Sequence, residues 1–67
     1  MKTVNLDLTR VDGNAFYLIG AFQRQAKREG WMAAEIKTVV DDCMSGNYDH
    51  LLQVLIGVCE PISEDDE

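Results

Sequence analysis

Residues 2–9 read KTVNLDLT. Val4, Leu6 and Leu8 alternate with Thr3, Asn5, Asp7 and Thr9, the period-2 pattern of a β-strand with one dry face. This stretch decides the fold, because the rest of the chain reads as helix. A lone strand leaves a row of backbone N–H and C=O groups unpaired. No convincing second strand follows: residues 58–62 are short and contain Pro61. Three arrangements answer that shortage. The leading one pairs the strand with its twin across a two-fold axis, as a two-stranded ribbon over the helices of both chains. The others are an extended segment lying on the helices through Val4, Leu6 and Leu8, and addition to the sheet of a different protein.

After a break at Arg10–Gly13, with a turn at Asp12-Gly13, the period becomes helical over about 14–29. Ala15, Leu18, Ile19, Phe22 and Ala26 form an i, i+3/i+4 stripe flanked by Phe16. Asp12 or Asn14 serves as N-cap, Arg24, Lys27 and Arg28 complement the dipole in the last turns, and Gly30 suits the left-handed stop. Gly20, inside this helix, costs about 1 kcal/mol against Ala and invites close approach of another backbone. A second helix is expected over 33–44, with Ile36, Val39, Val40 and Cys43 inward. Glu35 is placed to complete a capping box, but the cap residue, Met32, has no oxygen to offer. The third helix, over 48–58 with Asn47 as cap, carries Tyr48, Leu51, Leu52, Leu55 and Cys59 on one stripe. Val54, Ile56 and Val58 make it apolar nearly all round, so it is either central or shared with another chain.

Sixty-seven residues allow one small domain, and 46% apolar with 27% charged residues is a globular mixture. No apolar run reaches the roughly 18–20 residues of a membrane-spanning helix, and the N-terminus does not read as a signal peptide. The net charge of −6 is concentrated at one end. Glu60, Glu64, Asp65, Asp66 and Glu67 lie in 60–67, whereas residues 1–59 hold seven acids against all six bases. The acidic stretch reads as a solvated terminus or, functionally, as an arm for a basic partner or a nucleic-acid mimic. Cys43 and Cys59, with no secretory signal, suit free buried thiols in a reducing cytoplasm. A disulfide between them is the minor alternative.

Chemistry-bearing motifs are few. Asp49-His50 near Ser45 or Cys43 suggests catalytic parts, but adjacent helical residues point about 100° apart and Asp49 is better used at a helix start. Asp41, Asp42 and Asp49 lack the spacing of a calcium loop, and a single His cannot complete a zinc site with these cysteines. The helix–turn–helix candidate formed by helices two and three has no Lys or Arg in its second helix, which opposes groove insertion. Arg24, Lys27 and Arg28 form the one basic cluster, a solvated helix face or a contact for an anion or acidic partner. Trp31 staples helix two to helix one or serves as an exposed anchor.

The runs DGNAFYLIGAFQRQAKREGW (12–31), EIKTVV (35–40) and SGNYDHLLQVL (45–55) resemble a group of short proteins from bacteria and their phages or mobile elements, over residues 4–59. That group has no established activity and therefore lends no site residue. The resemblance implies a bacterial or viral cytoplasm and a hydroxyl residue where Met32 stands, a departure in this chain.

The expectation is a mainly α (α+β) domain over 1–59. It has an N-terminal strand and three short helices, is dimeric through the strand or the last helix, and is followed by the acidic stretch 60–67. A domain below about 70–80 residues seldom gains more than ~3–5 kcal/mol from its core, which favours partners. The expected function is a non-catalytic protein-interaction module, a phage or mobile-element accessory factor modulating a host protein. The alternative is a ribbon-helix-helix-like DNA-binding regulator, whose outward strand residues would include Thr3, Asn5 and Asp7. Candidate partner-binding residues are Thr3, Asn5, Asp7, Trp31, Val54 and Ile56. No catalytic residue, metal ligand or cofactor is expected. The partner is a second copy, a host protein or both, rather than nucleic acid or a membrane.

Overall fold

The computed structural model describes residues 2–61. It contains three α-helices, α1 (Ala15–Arg28), α2 (Ala33–Cys43) and α3 (Tyr48–Val58), each packed on the other two. A short 3-10 turn at Leu8–Arg10 precedes them. The acidic stretch beyond Pro61 lies outside the described residues.

The expected strand over 2–9 does not form, and the single chain lends no support to a ribbon between two chains. Val4 alone forms a β-bridge, parallel to Cys59 of the same molecule. Its N–H donates to Val58 O at 2.8 Å and its carbonyl accepts from Glu60 N at 2.8 Å. The alternation correctly marked the dry side: Val4 is fully buried, and Leu6 and Leu8 pack partly buried against the core. It did not reveal the local competitor for the backbone. The Asp7 carboxylate accepts from Thr9 N at 3.0 Å and from Thr9 Oγ1 at 2.6 Å. Arg10 N then bonds Asp7 O, so the chain turns before a ladder can extend. The extended-segment alternative is the closer description.

The helix ends follow their local chemistry. Asn14 Oδ1 caps α1 by accepting from Phe16 N at 2.8 Å, and Asp12 Oδ1 in turn accepts from Asn14 N. At the other end Gly30, at φ 87°, takes the left-handed position. Trp31 N bonds Ala26 O and Gly30 N bonds Lys27 O, the paired bonds of a Schellman stop. Asn47 caps α3 through His50 N. Met32 makes no side-chain cap bond, although Glu35 Oε1 accepts from Met32 N at 2.8 Å. No backbone approaches Gly20; a Cβ there would meet only Arg24 Nη1, at 3.6 Å.

Phe22, Leu55, Val4 and Cys43 are the largest fully buried side chains. Phe22 meets Trp31 edge-to-face with ring centroids 5.5 Å apart, so the tryptophan after the α1 stop ties that end to the core. Lys2 Nζ sits 5.1 Å from the Trp31 ring centroid and donates to Glu35 Oε1. Among the described residues, no helix is long and apolar enough to cross a membrane.

Candidate functional site

The residues singled out in the sequence do not form one patch. Trp31 is buried, in the stapling position rather than the anchoring one. Val54 is half-buried against the core, and Ile56 is 65% exposed on α3. Thr3 is half-buried on the N-terminal segment, beside the bridge at Val4. Asn5 and Asp7 do come together with other groups. They line an open groove of about 870 Å³ between that segment and α1.

This groove has an apolar floor and a cationic rim. Leu6 and Val11 come from the N-terminal segment, and Ala21 comes from α1. Ala21, Arg24, Gln25 and Arg28 fall at i, i+3, i+4 and i+7, hence on one helix face. Arg10 reaches the groove from the 3-10 turn, and Lys27 completes the rim. Four of the six basic residues of the chain therefore converge here. The other two are engaged elsewhere: Lys2 pairs with Glu35 at 2.9 Å and Lys37 with Asp41 at 2.8 Å.

The nearby acids are already committed. Asp7 is held below the ordinary carboxylate range by the Thr9 hydroxyl, then by the Thr9 backbone N–H, with Arg10 adding to the effect. Arg10 Nε lies 3.7 Å from Asp7 Oδ2. Glu29 is lowered by the Gln25 side chain and then by Asn5 N, each 2.7 Å away. Among the described residues, Arg24, Lys27 and Arg28 have no ion-pair partner. The groove thus presents unneutralised positive charge around an apolar strip, in a protein of net charge −6. The i, i+3, i+4 spacing of Arg24, Lys27 and Arg28 announced part of it. Arg10 was missed because its approach depends on the turn at Leu8–Arg10.

A second cluster resembles catalytic parts but has different geometry. His50 Nε2 lies 3.0 Å from Asp42 Oδ1 and 3.0 Å from Asp42 O, and 3.3 Å from Ser45 Oγ. Ser45 Oγ donates to Asp42 O at 2.7 Å. A hydrolytic relay places its acid and hydroxyl on opposite ring nitrogens; here both face Nε2. The arrangement closes the α2–α3 turn by satisfying the end of α2. The sequence reading paired His50 with Asp49, whereas the fold supplies Asp42. Among the described residues, no group of three or more His, Cys, Asp or Glu side chains gathers as a metal site.

Both thiols are free and buried. Burial, and then the charge of Asp42, raises Cys43; burial, followed by Cys43 and Glu29, pushes Cys59 up to about 11. Neither is the low-pKa thiol that nucleophilic chemistry uses. Several apolar side chains face outward, including Phe16 at 78% exposure, Tyr17 and Met44. Tyr48 is also exposed, with its hydroxyl donating to Gly13 O.

No family model, curated protein or solved structure matches this chain.

Proposed function

We propose that this chain is a non-catalytic protein-interaction module whose groove takes an acidic, partly apolar segment of a partner protein. One observation carries the reading: Arg10, Arg24, Lys27 and Arg28 converge around Leu6, Val11 and Ala21 with only Asp7 as an opposing charge on the lining. An apolar strip supplies contact area, and a rim of cations supplies steering and register. Arginine forks are suited to carboxylates, which they grip bidentately. The resemblance to short bacterial and phage proteins supports the narrower reading of an accessory factor acting on a host protein in a bacterial cytoplasm.

The ribbon-helix-helix alternative is weaker, because its reading device is a pair of strands shared by two chains. Here Val4 bonds Val58 and Glu60 of its own chain. Self-association is a compatible second reading, favoured by Ile56 standing 65% exposed on α3. Light scattering that returns twice the chain mass, reduced to one by Ile56→Glu, supports it.

The main test is fluorescence anisotropy with a labelled peptide of alternating Leu and Glu. Binding is expected at low salt, weakened by high salt and lost in Arg24→Glu/Arg28→Glu. A duplex oligonucleotide that binds where the peptide does not would overturn the protein-partner reading.

A further inference from the structure

We infer that the chain's own acidic residues Glu64, Asp65, Asp66 and Glu67 dock in this groove and compete with the partner for it; the inference rests on the groove being the binding site proposed above. Three observations carry it.

The first is where the described chain ends. Cys59 bridges Val4 and Glu60 N donates to Val4 O at 2.8 Å, so the acidic stretch departs beside the segment that forms one groove wall. The bridge is parallel. The chain from Cys59 to Pro61 therefore runs in the direction taken from Val4 to Leu6, and Asn5, Leu6 and Asp7 line the groove.

The second is length. Val4 turns its backbone bonds toward Val58 and Glu60, whereas Asn5 N turns toward Glu29 at the end of α1. Glu60 thus lies on the outer edge of the wall, about one chain width, ~5 Å, from the groove side. Residues 62–67 span up to ~20 Å when extended. The facing run of α1 from Ala21 to Arg28 is only ~10 Å long. Ile62 and Ser63 suffice for the crossing and leave the four acids over the cations.

The third is charge. Lys2 and Lys37 are already paired with Glu35 and Asp41, so the groove holds the cations still open to the acidic residues. A short tether places those residues at an effective concentration of order millimolar. A contact too weak to form between separate molecules is then populated, yet a stronger acidic ligand displaces it. The result is a built-in threshold: only a partner segment that outcompetes the tethered acids gains the groove.

The test compares the full chain with a full-length variant in which the acidic residues are amides (Glu64→Gln, Asp65→Asn, Asp66→Asn, Glu67→Gln). The probe is a labelled synthetic peptide, EPISEDDE, the sequence of residues 60–67. Binding is expected to be about three- to tenfold tighter to the amide variant, in keeping with the removal of a tethered competitor. Adding Arg24→Gln and Arg28→Gln to that variant should abolish the gain. The amide resonances of Arg24, Lys27 and Arg28 should also shift between the full chain and the amide variant. Equal affinity with unchanged resonances overturns the inference and leaves the groove reading standing. If the amide variant binds neither this peptide nor the Leu–Glu peptide, the groove reading falls and takes the inference with it.

Discussion

Replacing Met32 by Thr should stabilise the fold, and the structure says by how much. Met32 has the extended backbone of an N-cap, φ −76° and ψ 151°, directly before α2. Half of a capping box is already formed, since Glu35 Oε1 accepts from Met32 N at 2.8 Å. The other half needs a side-chain oxygen at position 32 to accept from a first-turn N–H. Met32 supplies none, and because its side chain is 68% exposed, removing it forfeits little packing. A hydroxyl cap contributes about 0.5–2 kcal/mol, typically about 1. For a domain of this size 1 kcal/mol moves Tm by about 4–8 °C, a large fraction of a total stability of ~3–5 kcal/mol. Thermal and urea melts of the native chain, Met32→Thr and Met32→Ala make the measurement. Met32→Thr should raise the urea midpoint at unchanged slope, while Met32→Ala should not. If the two variants melt together, or neither exceeds the native chain, the oxygen is not what this helix start lacks and the capping argument is refuted.

Two glycines should respond in opposite directions to Ala. At Gly20 the new Cβ meets only Arg24 Nη1 at 3.6 Å, so helix propensity dominates and Gly20→Ala gains roughly 0.5–1 kcal/mol. At Gly46 it would lie 2.9 Å from His50 Cβ, and Gly46→Ala should lose about 1–3 kcal/mol by overpacking the α2–α3 turn; urea midpoints decide both. Acidification should release the N-terminal segment. Asp7, Glu29 and Glu35 all have depressed values, caused first by hydrogen bonds from Thr9, Gln25 and Lys2 respectively. Their contribution is therefore present above the ordinary values of 3.8 and 4.5 and lost as pH falls through the lower folded values, which amide exchange at Val4 and Asn5 should register between pH 6 and pH 3. The thiols carry the opposite sign. Cys59, raised to about 11 from 9.0, supports the fold below pH 9 and ceases to as pH climbs through 11. At pH 8 a thiol reagent should modify Cys59 about 100-fold more slowly than in urea-unfolded chain, and Cys43 more slowly as well; equal rates would contradict their burial.

Much of the fold was legible because its signals are local. The helix starts at Asn14 and Asn47, the stop at Gly30 and the inward stripe of α1 depend on residues within a turn or two of one another. The strand reading failed from Asn5 onward, where Asn5 N bonds the Glu29 carboxylate and Leu6 N turns back to Val4 O, before the turn at Asp7. Alternation reports which side of a segment is dry, not whether a neighbouring carboxylate will capture the backbone first. The third helix was read as apolar nearly all round, central or shared with another chain; within one chain it is not fully enclosed and leaves Ile56 outward, because hydrophobicity along a helix does not say how many neighbours will cover it. Three of the four cations of the basic rim were visible as a helical face; the fourth, Arg10, was not.

Sequence alone therefore determined the three helices, most of their ends and most of the residues that avoid water, since each follows from backbone chemistry and short-range periodicity. Only the tertiary structure decided that Val4 pairs with the end of the same chain and that Arg10 joins Arg24, Lys27 and Arg28 over Leu6, Val11 and Ala21. Those meetings depend on where three chain reversals carry segments far apart in sequence, and no local pattern encodes that placement.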